Sequence, residues 1–135
     1  MKLILGLALA LLSLPLWLPT ALGGEMSYHF VLSGSMKETI QPGSLIILRR
    51  SETYTIGDVV GYRQELAGEG DAIIIHRIMT QQPSGRYFIK GDANPEGEDV
   101  DPHVITGRMI TAVPYLGYVV EAMQTIPFVV KELAL

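Results

Sequence analysis

Two hydrophobic patterns divide the chain. From Leu3 to Leu22 no residue carries a charge, and an uncharged run of about 20 residues matches the hydrocarbon thickness of a bilayer when it is helical. The pattern predicts an apolar helix there, bent at Pro15 and Pro19. Lys2 precedes the run and Glu25 follows it, so the positive-inside bias predicts a cytoplasmic N-terminus with the remainder outside. Ala21, Leu22 and Gly23 also have the small-x-small form of a removable export signal. The run is longer than the ~7 to 15 apolar residues of such signals, which favours a retained anchor. Both arrangements send the following residues outward.

After residue 24 the period shortens. Tyr28–Leu32, Leu45–Leu48, Val59–Arg63, Ala72–Met79, Arg86–Lys90 and Val104–Val113 are short runs rich in β-branched or aromatic residues. Turn-forming stretches separate them, among them Gln41-Pro42-Gly43, Ile56-Gly57-Asp58 and Gln82-Pro83-Ser84-Gly85. The expected organisation is an N-terminal membrane anchor (1–24), a mainly antiparallel β domain (25–120) and an apolar tail (121–135). Pro127 breaks that tail and Lys131 and Glu132 close it, which suits contact with the membrane surface or the core better than a second span. The whole chain of 135 residues has room for one domain and an attached segment.

Composition narrows the chemistry. A net charge of −4 and a pI near 5.3 give no basic field for gripping phosphates, so nucleic acid is not an expected partner. With no cysteine, disulfides, thiolate zinc sites and a cysteine nucleophile are all excluded. The segment from Asp92 to Asp101 is rich in carboxylates among Gly, Asn and Pro. It reads as a solvated loop, because the oxygen spacing of a calcium loop does not occur in it.

One pair of residues could run nucleophilic chemistry. A serine hydroxyl attacks only when a base takes its proton. Ser33-Gly34-Ser35-Met36 follows a strand-like run just beyond the apolar segment, and Gly34 lets the backbone turn between the two serines. His76 lies in the most apolar run, Ile73-Ile74-Ile75-His76-Arg77-Ile78, where burial would keep an imidazole neutral and able to accept a proton. Spacing by itself reads more readily as a plain turn and a satisfied core histidine.

The order of the motifs carries more. Ser33-Gly34-Ser35-Met36, Gly57-Asp58-Val59-Val60, His76-Arg77-Ile78, Lys90-Gly91-Asp92-Ala93-Asn94, and Gly107-Arg108 with Pro114-Tyr115-Leu116-Gly117 together resemble signal peptidase I. The histidine at 76 is similar to the archaeal, endoplasmic-reticulum and spore-former branch; the common bacterial branch has a lysine base instead. The resemblance implies a partly barrel-like β fold and a membrane-bound serine endopeptidase that uses no metal or cofactor. Its substrates would be preprotein signal peptides with small residues at −1 and −3, and other signal-processing subunits could be partners. It also implies roles by position. Ser35 would be the nucleophile and His76 the base, with the Ser35 N–H and the Ser33 hydroxyl stabilising the oxyanion. Asp99 would orient His76, and Asp92 would hold the loop or contact the site. The family spacing of six from the Gly-Asp aspartate lands on Glu98, so Asp99 needs a one-residue insertion and Asp101 a longer one. Lys37-Glu38 stands where the family has a residue and then proline, and Gly43-Ser44 where it has Gly-Asp. His29 and His103 match no motif. Alternative readings are a non-catalytic or partner-dependent relative, an exported β binding module, and a LexA-like self-cleaving protease; the last uses a lysine base and has no anchor.

Overall fold

The computed structural model describes residues 2–11, 25–68, 70–116 and 118–119. Residues 2–11 are helical and exposed, within the expected anchor; the rest of that anchor and the tail at 121–135 lie outside the described residues. Among the described residues no helix is long and apolar enough to cross a membrane.

Among the described residues seven strands form one antiparallel sheet: β1 (Met26–Phe30), β2 (Leu45–Arg49), β3 (Val59–Leu66), β4 (Gly70–Gln81), β5 (Tyr87–Lys90), β6 (Gly97–Val100) and β7 (Ile105–Val113). Their spatial order is β1-β2-β7-β3-β4-β5-β6. The mainly antiparallel β fold expected from the period is present. Six strands fall on the six runs read from sequence, and β6 lies in the acidic stretch read as a loop. Gly97-Glu98-Asp99-Val100 has little apolar content, yet it pairs with β5 through Tyr87↔Val100, Phe88↔Asp99, Ile89↔Glu98 and Lys90↔Gly97. As an edge strand it needs one apolar anchor, Val100, which is 4% exposed. Its carboxylates also discourage another chain from pairing there.

The strand β4 is apolar on both faces because each face feeds a different core. Ile74 and Ile78 pack with Val60, Tyr62, Ile89 and Val100. Ile73 and Ile75 pack with Met36, Ile40, Ile46, Leu48 and Val59. The two-residue period therefore turns His76 toward the first core and Arg77 toward the second. Register shifts at Ile47/Leu48, Gly61/Tyr62 and Ile78/Thr80 add coil to the sheet. A direct hydrogen bond from Tyr62 on β3 to Glu98 on β6 shows how far it curls. Those strands are three steps apart in the sheet, or roughly 14 Å if it were flat.

The loop between β1 and β2 closes over the second core. Val31 N–H donates to the Ser44 carbonyl and Gly43 N–H to the Val31 carbonyl, pinching the loop at its base. Met36 and Ile40, 1% and 2% exposed, hold it down; burial of side chains this size is worth about 1.5 to 3 kcal/mol each.

Candidate active site

Ser35 sits at the start of a single turn. Lys37 N–H donates to the Gly34 carbonyl, and Thr39 and Ile40 N–H both donate to the Met36 carbonyl. This turn stands where the resembled family has a residue and then proline, and Lys37 and Glu38 ride on its exposed side. Because the next side chain, Met36, is buried, Ser35 is held at the rim of the core, half-buried. Its Oγ lies 3.2 Å from Ser33 Oγ, and its backbone N–H points at the same Ser33 oxygen at 3.5 Å. An incoming carbonyl oxygen placed beside the two would meet the Ser35 N–H and the Ser33 hydroxyl together.

The loop after β5 packs against this turn. Ala93 N–H donates to the Ser35 carbonyl at 2.9 Å, and Asp92 N–H approaches Met36 Sδ at 3.3 Å. Gly91 lies between the two candidate groups. A Cβ there would stand 2.6 Å from the Ser35 carbonyl oxygen and 3.0 Å from His76 Nε2. The fold therefore brings Ser35 and His76 to one place although they are 41 positions apart in the chain. Among the described residues there is no direct Ser35–His76 hydrogen bond; the serine hydroxyl pairs with Ser33 instead. Both line a groove of about 430 Å³ together with Ser33, Gln64, Ile74 and Glu98.

His76 is half-buried. Burial lowers its pKa from the ordinary histidine value, against opposing pulls from Glu98 and Asp92, so the imidazole is neutral at pH 7 and able to accept a proton. Its Nδ1 lies 3.2 Å from Tyr62 Oη. The Tyr62 hydroxyl donates to Glu98 Oε1 at 2.6 Å, and Gln64 Nε2 donates to Glu98 Oε2 at 3.2 Å.

Asp99 and Asp101 go elsewhere, while Asp92 ties the loop. Asp99 is exposed; its Oδ1 accepts from Gln82 Nε2 at 2.6 Å, and its carbonyl accepts from Arg86. Asp99 is not brought to His76, because neighbouring residues of a strand face opposite ways and the residue turned toward His76 is Glu98. Asp101 caps the 3-10 turn at Pro102–Val104 and pairs with His103. Asp92 accepts two bonds from Arg77, Nε at 2.8 Å and an Nη at 2.7 Å, and a third from Thr39. The Arg77 bonds hold its carboxyl below the usual aspartate range, Thr39 adding to them. Arg77 also donates to the Gly57 carbonyl, so the Arg77–Asp92–Thr39 cluster ties together the Gly57 turn, the Ser35 loop and the loop carrying Gly91. Lys90 Nζ is taken up by the Asn94 carbonyl.

This clamp carries a stability prediction. Asp92→Asn is expected to cost about 1.5 to 3 kcal/mol at pH 7, the usual worth of hydrogen bonds to a charged group. Because the folded carboxyl is depressed, its contribution is complete above the ordinary value of 3.8 and is lost as pH falls through the lower folded value. Urea denaturation of both proteins at pH 7 and pH 3 checks this: the gap between them should narrow in acid. An equal gap at both pH values would remove the ion pair as its cause.

Sequence reasoning missed Tyr62 and passed over Glu98. The tyrosine was one aromatic in a strand-like run, with nothing to mark it. A signal for Glu98 did exist, since the uninterrupted spacing of six from Asp92 ends on it.

No family model matches the chain. It is similar to signal peptidase complex catalytic subunits SEC11 of three fungi. Identity is 33% over 105 residues with that of Chaetomium globosum, 31% over 104 residues with that of Sclerotinia sclerotiorum and 31% over 107 residues with that of Verticillium alfalfae. Each match takes in 66% of this chain, and the chain spans 59% of the length of each relative. The resemblance to signal peptidase I read from the ordered motifs is shown by these relatives.

Proposed function

We propose that this homologue of signal peptidase catalytic subunits is itself a signal peptidase: a serine endopeptidase that removes N-terminal signal peptides from exported preproteins. The observation that carries the reading is the meeting of Ser35 and His76 around Gly91, where burial lowers the histidine's pKa, in a chain similar to SEC11 catalytic subunits. In this reading Ser35 Oγ attacks the scissile carbonyl while His76 takes its proton, then returns it to the leaving amine. The Ser35 N–H and the Ser33 hydroxyl receive the oxyanion, and one such donor is worth about 2.7 to 4 kcal/mol. Asp92 acts by holding the loop. The groove beside Ser35 and His76 accepts an extended segment with small residues at −1 and −3.

Residues 1–24 serve as a membrane anchor, with the N-terminus in the cytoplasm, the domain at 25–120 outside and the tail at 121–135 against the membrane surface or the core. An anchored site meets a signal lying in the same bilayer by diffusion in two dimensions. The names of the relatives speak of a complex, and other signal-processing subunits are proposed as partners here too.

The test is cleavage of a reporter preprotein by the detergent-solubilised full chain, with the mass of both products measured. The expected cut follows a small-x-small sequence. An intact reporter after incubation, both in detergent and in membranes of cells that make the chain, would refute peptidase activity and favour a non-catalytic relative.

A further inference from the structure

The groups behind His76 determine which of its nitrogens can act. Tyr62 is 1% exposed and its hydroxyl has one hydrogen to give. That hydrogen goes to Glu98 Oε1 at 2.6 Å, since a carboxylate only accepts. What Tyr62 presents to His76 Nδ1, 3.2 Å away, is therefore an oxygen lone pair. Facing an unprotonated Nδ1 it would set lone pair against lone pair in a buried place; facing Nδ1–H it accepts a hydrogen bond. A neutral imidazole with hydrogen on Nδ1 has its lone pair on Nε2, and Nε2 is the nitrogen directed toward Gly91 and the Ser35 loop.

We propose that Tyr62 and Glu98 are positioning residues for His76, holding it in the Nδ1–H tautomer so that Nε2 is free to take the Ser35 proton. The proposal rests on the reading of His76 as the base. When Nε2 accepts the proton from Ser35 Oγ, the imidazole becomes a cation. Glu98 then supplies the compensating negative charge through the polarised phenol, while Tyr62 and Glu98 keep the protons they began with. The Nε2 proton leaves on the departing amine, and the relay is restored. Gln64 fixes the second carboxylate oxygen of Glu98 at 3.2 Å, so the carboxylate cannot swing away without losing a partner. Glu98 thus occupies functionally the place that the sequence reading assigned to Asp99, acting across a tyrosine rather than by direct contact.

The test compares Tyr62→Phe, Glu98→Gln, the double variant and Asp99→Asn, beside Ser35→Ala, on the reporter preprotein. Tyr62→Phe and Glu98→Gln are each expected to lower kcat about 10- to 100-fold with KM within about twofold. That is a smaller loss than the ~10⁴ seen where a directly bonded carboxylate sets the tautomer. The double variant should fall no lower than the worse single one, because the two residues act as a unit, and Asp99→Asn should stay within about twofold of wild type. A second readout does not depend on activity. Nitrogen-15 NMR of the histidine-labelled wild-type chain, with His76 assigned by the signal lost in His76→Ala, should show hydrogen on Nδ1 and a bare Nε2 at neutral pH. A neutral His76 carrying its hydrogen on Nε2 overturns the proposal. So does a kcat unchanged in both single variants while Ser35→Ala is inactive. Cleavage that survives Ser35→Ala defeats the assignment of Ser35 as the nucleophile instead, and the NMR spectrum still decides the tautomer.

Discussion

Ser35→Ala is expected to lower kcat for preprotein cleavage by roughly four to six orders of magnitude, with KM little changed, and His76→Ala to do nearly as much. Losses of that size follow when a nucleophile or its base is removed and only the oxyanion donors and substrate binding remain. The two changes should not add, since the base has nothing to activate once the hydroxyl is gone. The Ser35 hydroxyl is paired with Ser33 at 3.2 Å, and among the described residues no bond joins it to His76. Catalytic hydrogen bonds of this kind commonly tighten only when substrate binds. An acyl segment entering the groove would compete for the Ser33 hydroxyl and release Ser35 Oγ toward Nε2. Single-turnover cleavage of a labelled preprotein gives the rates, and circular dichroism establishes that each variant is folded. A Ser35→Ala protein working within tenfold of wild type would place the chemistry elsewhere.

Gly91→Ala is expected to remove most activity, about 100-fold or more, while leaving the β domain folded. The added methyl would lie 2.6 Å from the Ser35 carbonyl oxygen, 2.9 Å from Asn94 Nδ2 and 3.0 Å from His76 Nε2. The first neighbour is backbone, held by the Ala93 N–H, and cannot turn aside as a flexible side-chain tip would. The Ser35 loop and the Gly91 loop must therefore separate. A displacement of about 1 Å between reacting groups costs on the order of 100-fold. Gly57→Ala makes a useful comparison, because no atom lies near its Cβ position but its backbone φ is +95°. There the cost should fall on stability, with kcat nearly unchanged. Kinetics and thermal melting of both variants separate the two effects, and a Gly91→Ala protein with full activity would mean that the loops tolerate movement the chemistry does not feel.

The sheet was legible where burial imposed a pattern. β4 could be read because apolar residues on both faces leave an unbroken run, and β2, β3, β5 and β7 because turns with Gly or Pro punctuate them. β6 was illegible for the opposite reason: an edge strand with one buried anchor obtains its order from backbone pairing with β5, which leaves no hydrophobic period. The same gap hid the arrangement of the acidic segment. Counting along the chain cannot tell which carboxylate faces inward until the strand and its register are known, and one residue of slip exchanges Asp99 for Glu98.

What the sequence by itself determined is the division into an apolar run and a β domain, the exclusion of cysteine chemistry, and Ser35 and His76 as the pair to examine. These follow from local composition and from motifs whose order survives in one dimension. The tertiary structure decided which groups meet. Curling of the sheet brought Tyr62 across to Glu98, the buried Met36 and Ile40 drew the Ser35 loop onto the core, and the absence of a side chain at Gly91 left room for that loop beside His76. Each of these depends on contacts between residues far apart in the chain, whose energies come from packing and register rather than from any neighbour in sequence.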